Sequence, residues 1–153
     1  MTSRNYAQLG LLVAPLAAIV IGVWAEFAEL TPLVLSAVSI PAIIVSTISA
    51  AVLARRVPVV PALVVGGIVV GAITFGLAAG THVLLSWLRG SELEFSDYDS
   101  RALISLAFVS VHLAVGTMVG AGVGVVLAVL YAGTSWVMRR AAPRADDEDV
   151  IRS

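Results

Sequence analysis

The spacing of the charged residues is the feature that most constrains this chain. Nine Arg and ten Asp or Glu residues are spread over 153 positions, and they leave four uncharged stretches at 5–25, 30–54, 57–88 and 102–138. A bilayer's hydrocarbon layer is roughly 30 Å thick and is crossed by about 20 helical residues. Because every stretch has at least 21 residues and is rich in Ala, Val, Leu, Ile and Gly, each of them predicts a transmembrane helix.

The composition predicts one membrane domain. Hydrophobic residues make up 59% of the chain, which is more apolar surface than a small soluble domain can bury. We therefore predict an all-α integral membrane protein, an antiparallel bundle of four transmembrane helices within residues 1–140, at about 6–29, 32–55, 58–88 and 101–138. Residues 141–153 are expected to form a flexible tail. The fourth helix is long, about 55 Å for its uncharged part alone, so we expect it to tilt or to extend out of the hydrocarbon layer.

The distribution of the basic residues predicts the orientation. One side of such a bundle receives Arg4, Arg55, Arg56, Arg139, Arg140 and Arg144. The other side receives only Arg89 and Arg101, together with acidic residues. Because short cytoplasmic segments are enriched in Arg and Lys, we predict a multi-pass protein of the cell membrane with both termini in the cytoplasm. The first stretch has no small-x-small cleavage site, so it is expected to be a retained helix rather than a signal peptide.

Several classes of function are excluded or disfavoured by what the sequence lacks. The chain has no cysteine, which excludes disulfides, thiolate metal ligands, iron–sulfur clusters and cysteine nucleophiles. The net charge is −1 and no long basic run occurs, so no nucleic-acid partner is expected. The chain also has no P-loop, dinucleotide-binding fingerprint or Gly-x-Ser-x-Gly motif. We predict no catalytic residues, and the sequence favours a non-enzymatic role.

Glycine spacing in the third and fourth spans predicts close helix packing. Seven glycines fall at four-residue intervals within their groups: Gly67 and Gly71, Gly76 and Gly80, and Gly116, Gly120 and Gly124. Small residues matter in lipid because burying apolar side chains against each other gains little over burying them in acyl chains. Glycine is also simply common in membrane helices. We favour a glycine-zipper contact between the two spans, with the same helix of a second copy as the alternative partner.

Two histidines and two glutamates form the candidate binding site. At 100° per residue, His82 and His112 lie on the glycine-bearing faces of their helices, and both fall near the same membrane boundary as Glu26 and Glu29. Such a group suits a divalent metal, a b-type haem held by the two histidines, or a proton relay. The plainer interpretation, which we favour, is that the histidines make interhelical hydrogen bonds and the glutamates are solvated. On that interpretation no cofactor is bound.

The second span carries the other polar side chains: Ser36, Ser39, Ser46, Thr47 and Ser49. Hydroxyls on a membrane helix bond to helix carbonyls or bridge to a neighbouring helix, so packing is the favoured role and a solute path the alternative. Pro15 and Pro41 each remove one backbone hydrogen bond and predict local kinks.

Three functions remain open from the sequence. The leading hypothesis is an accessory or structural subunit of a membrane complex or a homo-oligomer, whose partners are bilayer lipid and other membrane subunits or copies of itself. The alternatives are a haem- or metal-binding redox protein that uses His82 and His112, and a small-solute or ion transporter or channel formed by an oligomer.

Overall fold

The structure is a computed structural model that describes residues 3–27, 32–54, 56–89 and 98–141. Within these ranges the described side chains are those of 4–25, 38–54, 56–89 and 102–140. Four helices account for nearly all of them: α1 (Ser3–Phe27), α2 (Pro32–Leu53), α3 (Val59–Arg89) and α4 (Tyr98–Ala141). The described residues contain no strand. The prediction of an all-helical chain with four helices is therefore confirmed, whereas the tail beyond residue 141 lies outside the described residues.

Among the described side chains, three helices contain stretches long and apolar enough to cross a membrane. They contain the stretches Arg4–Ala25, Val59–Arg89 and Ala102–Arg140, of 22, 31 and 39 residues. In α2, whose described side chains begin at Val38, the apolar stretch is Val38–Leu53. Each stretch begins or ends close to a charged residue, because a charge is costly in the hydrocarbon layer and tolerable at its boundary.

The first three helices pack against one another around a small common core. Ile43 of α2 is fully buried, and it forms a cluster with Ala14 of α1 and Val70 of α3. The interface also encloses polar side chains of α2, since Ser46 and Thr47 are completely buried. The interior of this group is therefore lined partly by hydroxyl groups.

The fourth helix is peripheral to that group. It packs chiefly on α3 and touches α2 slightly, and within the described residues no Cα of α1 lies within 8 Å of a Cα of α4. The four helices therefore do not surround one shared core, and most of the surface of α4 is left without a partner in a single chain. The length of the uncharged stretch 102–138 predicted this helix, but it did not predict that the helix lies outside the group formed by α1, α2 and α3.

The last part of α4 extends past the helix on which it packs. Gly124 lies against Leu63 and Val64, only four or five residues after α3 begins. Ala128 is the last buried residue of α4, and of the described residues after it only Ser135 is partly shielded. The final 13 residues thus form an overhang of about 20 Å at 1.5 Å per residue.

Candidate functional site

Five glycines form the closest helix contact, which we call the glycine seam: Gly67 and Gly71 of α3 and Gly116, Gly120 and Gly124 of α4. A Cβ atom built on Gly71 would lie 2.7 Å from the Gly120 Cα and would also strike the Gly116 carbonyl oxygen. A Cβ atom on Gly124 would lie 2.6 Å from the Leu63 carbonyl oxygen. Only glycine lets the two backbones come this close, which allows extensive van der Waals contact between them.

The positions of the contacting residues also show the relative direction of α3 and α4. Gly124 contacts Leu63 near the start of α3. Gly76, further along α3, has its Cβ position 3.3 Å from Leu113 Cδ1. Rising residue numbers on α3 therefore meet falling numbers on α4, and the two helices run in opposite directions. Gly80 lies beyond the close contact, because no atom lies within 4 Å of its Cβ position.

Both histidines lie at the far end of this helix pair, and both contact one aromatic ring. The centroid of the Phe108 ring is 5.8 Å from that of His82 and 4.1 Å from that of His112. Next to this group, Trp87 Nε1 donates a hydrogen bond of 3.1 Å to Ser105 Oγ, which also joins α3 to α4. We call His82, Phe108 and His112 the histidine site.

The hydrogen bond of His112 determines which of its ring nitrogens carries a proton. Its Nδ1 lies 2.8 Å from the backbone carbonyl oxygen of Phe108. A carbonyl oxygen only accepts hydrogen bonds, so Nδ1 must be the protonated nitrogen. In the neutral ring Nε2 then holds a lone pair, and an Nδ1–H bond to a carbonyl is the arrangement that orients metal-ligating histidines.

The structure describes only the backbone of Glu26 and nothing of Glu29, the two glutamates of the predicted site. Gly22 of α1 packs against α3, with its Cβ position 2.7 Å from Thr81 Cβ, next to His82. Glu26 follows one turn later on the same side of α1, but its side chain and the whole of Glu29 lie outside the described residues. Among the side chains that are described, no three His, Cys, Asp or Glu come together as a metal site. The participation of the two glutamates stays a prediction.

A second interhelical contact depends on a hydroxyl group. Ser46 Oγ accepts a hydrogen bond of 3.0 Å from the Ala14 amide and donates one of 2.8 Å to the Gly10 carbonyl oxygen. In an α-helix these two backbone groups are each other's partners, four residues apart. Ser46 of α2 therefore contacts both ends of one backbone hydrogen-bonding pair of α1. The next residue of α1 is Pro15, which has no backbone N–H. We call this contact the serine bridge.

The neighbouring hydroxyls behave differently from Ser46. Ser49 Oγ donates to Val45 O at 2.8 Å and Thr74 Oγ1 to Val70 O at 2.7 Å, each within its own helix. Thr47 Oγ1 is buried and has no hydrogen-bond partner among the described residues. Only one hydroxyl of this group thus joins two helices by an observed bond.

Sequence reasoning missed Phe108 and the special role of Ser46. The signal for Phe108 was available, since it precedes His112 by four residues and so shares its helix face. No sequence signal separates Ser46 from the other hydroxyls of α2, because its role depends on how α2 is rotated against α1. The chain matches no protein-family model, no curated protein and no solved structure.

Proposed function

We propose that this chain is a four-pass membrane protein, folded as an antiparallel bundle with both termini in the cytoplasm. It acts through helix packing, as an accessory or structural subunit of a membrane complex or as a homo-oligomer. Contact between neighbouring subunits is made by the face of α4 that points away from α3. In this proposal the chain performs no reaction of its own.

The observation that carries the proposal is the unpartnered face of α4. Met118 lies opposite the glycine seam and is 75% exposed. Gly122, one turn further on, has no atom within 4 Å of its Cβ position. Small residues on a lipid-facing surface let a neighbouring helix approach closely, so this face suits another membrane helix.

The hydroxyl groups support a packing role over a solute path. Ser46 is engaged with the α1 backbone, and Ser49 and Thr74 bond to carbonyls of their own helices. On α4, Ser110 and Thr117 likewise donate to carbonyl oxygens one turn before them. A hydroxyl bonded in this way has used its one proton, so it cannot also donate a hydrogen bond to a passing solute.

Native mass measurement after extraction in a mild detergent or in lipid nanodiscs tests this proposal. We expect an oligomer or a stable companion protein. Gly122→Leu should shift the species toward the monomer, because the larger side chain blocks close approach on the outer face, while the helical circular dichroism stays unchanged. Gly80→Leu, at an open position of α3, serves as the control. A parent protein that is strictly monomeric and has no companion contradicts the proposal.

The histidine site supports a second candidate function, in which it holds a divalent metal or a b-type haem. The specific observation is the bond from His112 Nδ1 to the Phe108 carbonyl, which leaves Nε2 as the ligating atom. His82, which contacts the same ring, would supply the second nitrogen. An absorption spectrum and a metal analysis of purified protein, with His112→Ala beside it, test this function. Absence of both a Soret band and a stoichiometric metal from the parent protein rules the function out.

A further inference from the structure

The overhanging end of α4 is the most exposed helical segment of the described chain, and its composition is unusual for a segment in water. Trp136, Val137 and Met138 are 55%, 57% and 70% exposed. Arg139 and Arg140, both exposed, follow directly. Apolar and aromatic side chains next to arginines are typical of helices at the boundary between the hydrocarbon layer and the lipid headgroups.

One arginine of this end is held in place by an aromatic ring. The Arg140 Cζ atom lies 3.9 Å from the centroid of the Trp136 ring, well within the distance of a cation–π contact. A guanidinium that contacts a ring through its face keeps its in-plane N–H donors available. Those donors form the planar fork that matches the oxygens of a phosphate group.

The charges around this end favour an anion. Arg4 at the start of α1 and Arg56 in the α2–α3 connection are also exposed, and contacts of Gly10 with Ser49 and of Gly124 with Leu63 bring these helix ends to the same side. The described segments at this end contain no acidic residue. Asp146, Asp147, Glu148 and Asp149 follow in the tail, outside the described residues, so a test must use the full chain.

We propose that Trp136, Arg139 and Arg140 bind the phosphate of an anionic phospholipid, with its acyl chains lying along the apolar side chains of α4. The lipid is favoured over a free anion because exposed apolar side chains, among them Val129, Leu130 and Tyr131, occupy the turns of α4 that precede the arginines, toward the hydrocarbon layer. Basic residues near an anionic membrane surface each contribute to such binding, and salt weakens the contribution. This site lies on the same side of α4 as the face proposed above for subunit contact, but Trp136 is 14 residues, or about 21 Å, further along the helix than Gly122.

Tryptophan quenching in nanodiscs tests the proposal. The chain has three tryptophans, so Trp24→Phe combined with Trp87→Phe leaves Trp136 as the only reporter. Its fluorescence is compared in phosphatidylcholine nanodiscs that contain either brominated phosphatidylglycerol or brominated phosphatidylcholine. We expect the anionic lipid to be enriched at Trp136 by roughly fivefold per arginine, and high salt to reduce this enrichment.

Two sets of variants separate the proposal from its alternatives. Arg139→Gln with Arg140→Gln should abolish the enrichment. The matching Lys variants should lower it, because they keep the charge but lose the planar fork, and Arg89→Gln, at the opposite end of α3, should leave it unchanged. Equal quenching by the two lipids, or enrichment that survives the Gln variants, overturns the proposal. Inorganic phosphate added to the detergent-solubilised protein should leave Trp136 emission unchanged. A change as large as that caused by the anionic lipid would instead assign a free-anion site and overturn the lipid assignment.

Discussion

The glycine seam and the serine bridge both hold helices together where hydrophobic burial gives little advantage, but they do so by different means. In the seam, side chains are absent and the backbones of α3 and α4 approach until a Cβ at Gly71 would meet Gly120. At the bridge, one side chain is present and supplies two hydrogen bonds of 2.8 and 3.0 Å to α1. The glycine seam depends on the absence of side chains, and the serine bridge depends on the directions of two hydrogen bonds. The two contacts should therefore respond differently to substitution.

The largest effect is expected from Gly71→Val. The added atoms would strike the Gly116 carbonyl oxygen and the backbone of Gly120, so α3 and α4 must separate. Overpacking typically costs about 1–3 kcal/mol and occasionally more, and we expect the upper end here because the atoms in contact are backbone. Equilibrium unfolding in mixed micelles measures the loss.

Gly80→Val is the matched control for that substitution. It lies on the same helix and changes helix propensity equally, but no atom lies within 4 Å of its Cβ position. We expect it to cost less than about 1 kcal/mol. Equal losses for the two variants would show that close approach is not what holds the seam together.

Ser46→Ala should have an intermediate effect. It removes two hydrogen bonds between helices, while the Ala14 amide and the Gly10 carbonyl can still bond to each other within α1. We therefore expect a loss of about 1 kcal/mol, together with a change in hydrogen exchange at the Ala14 amide. Ser49→Ala is the control, because its hydroxyl bonds only within α2, and a loss as large as that of Ser46→Ala would contradict a special role for the bridge.

Ser105→Ala adds a smaller test at the end of the seam. It removes the bond of 3.1 Å from Trp87 Nε1, which is partly exposed and lies where α3 and α4 are already in contact. Interhelical hydrogen bonds in membranes average about 0.6 kcal/mol, and we expect a loss of that size in the same unfolding assay. A loss larger than that of Ser46→Ala would reverse the proposed ranking of the two contacts.

The smallest effect, and the only one of opposite sign, is expected from Thr47→Val. The Thr47 hydroxyl is buried with no hydrogen-bond partner among the described residues, and valine has nearly the same shape. Removing an unsatisfied buried hydroxyl should stabilise the fold by up to about 0.5 kcal/mol, the lower end of the cost of burying such a group. Thr74→Val, which loses its bond to Val70 O, should be neutral or destabilising. Identical changes in stability for the two variants would contradict the difference between an unsatisfied and a bonded hydroxyl.

The two contacts also show what the sequence could predict. Charged residues ended the apolar stretches, so the number of helices followed from the cost of placing a charge in lipid. The spacing of Gly67 and Gly71 indicated a helix face that permits close approach. The peripheral position of α4 was not predictable in this way, because lipid and protein are similarly apolar and the sequence does not say which of them covers a given face. The bridge at Ser46 required the rotation of α2 relative to α1.

The unequal lengths of the helices have a consequence for the surrounding bilayer. The apolar stretch of α1 has 22 residues and that of α4 has 39, or about 33 and 59 Å if both stand upright. In the proposed membrane arrangement, lipid beside α1 meets a helix that matches the hydrocarbon layer, and lipid beside α4 meets one that is far too long, because these two helices do not approach each other. Mismatch costs fractions of a kcal/mol per Å, so the strain in the lipid is concentrated beside α4. This one-sided strain favours thicker membrane regions, and in the proposed assembly the subunit that covers α4 would relieve it.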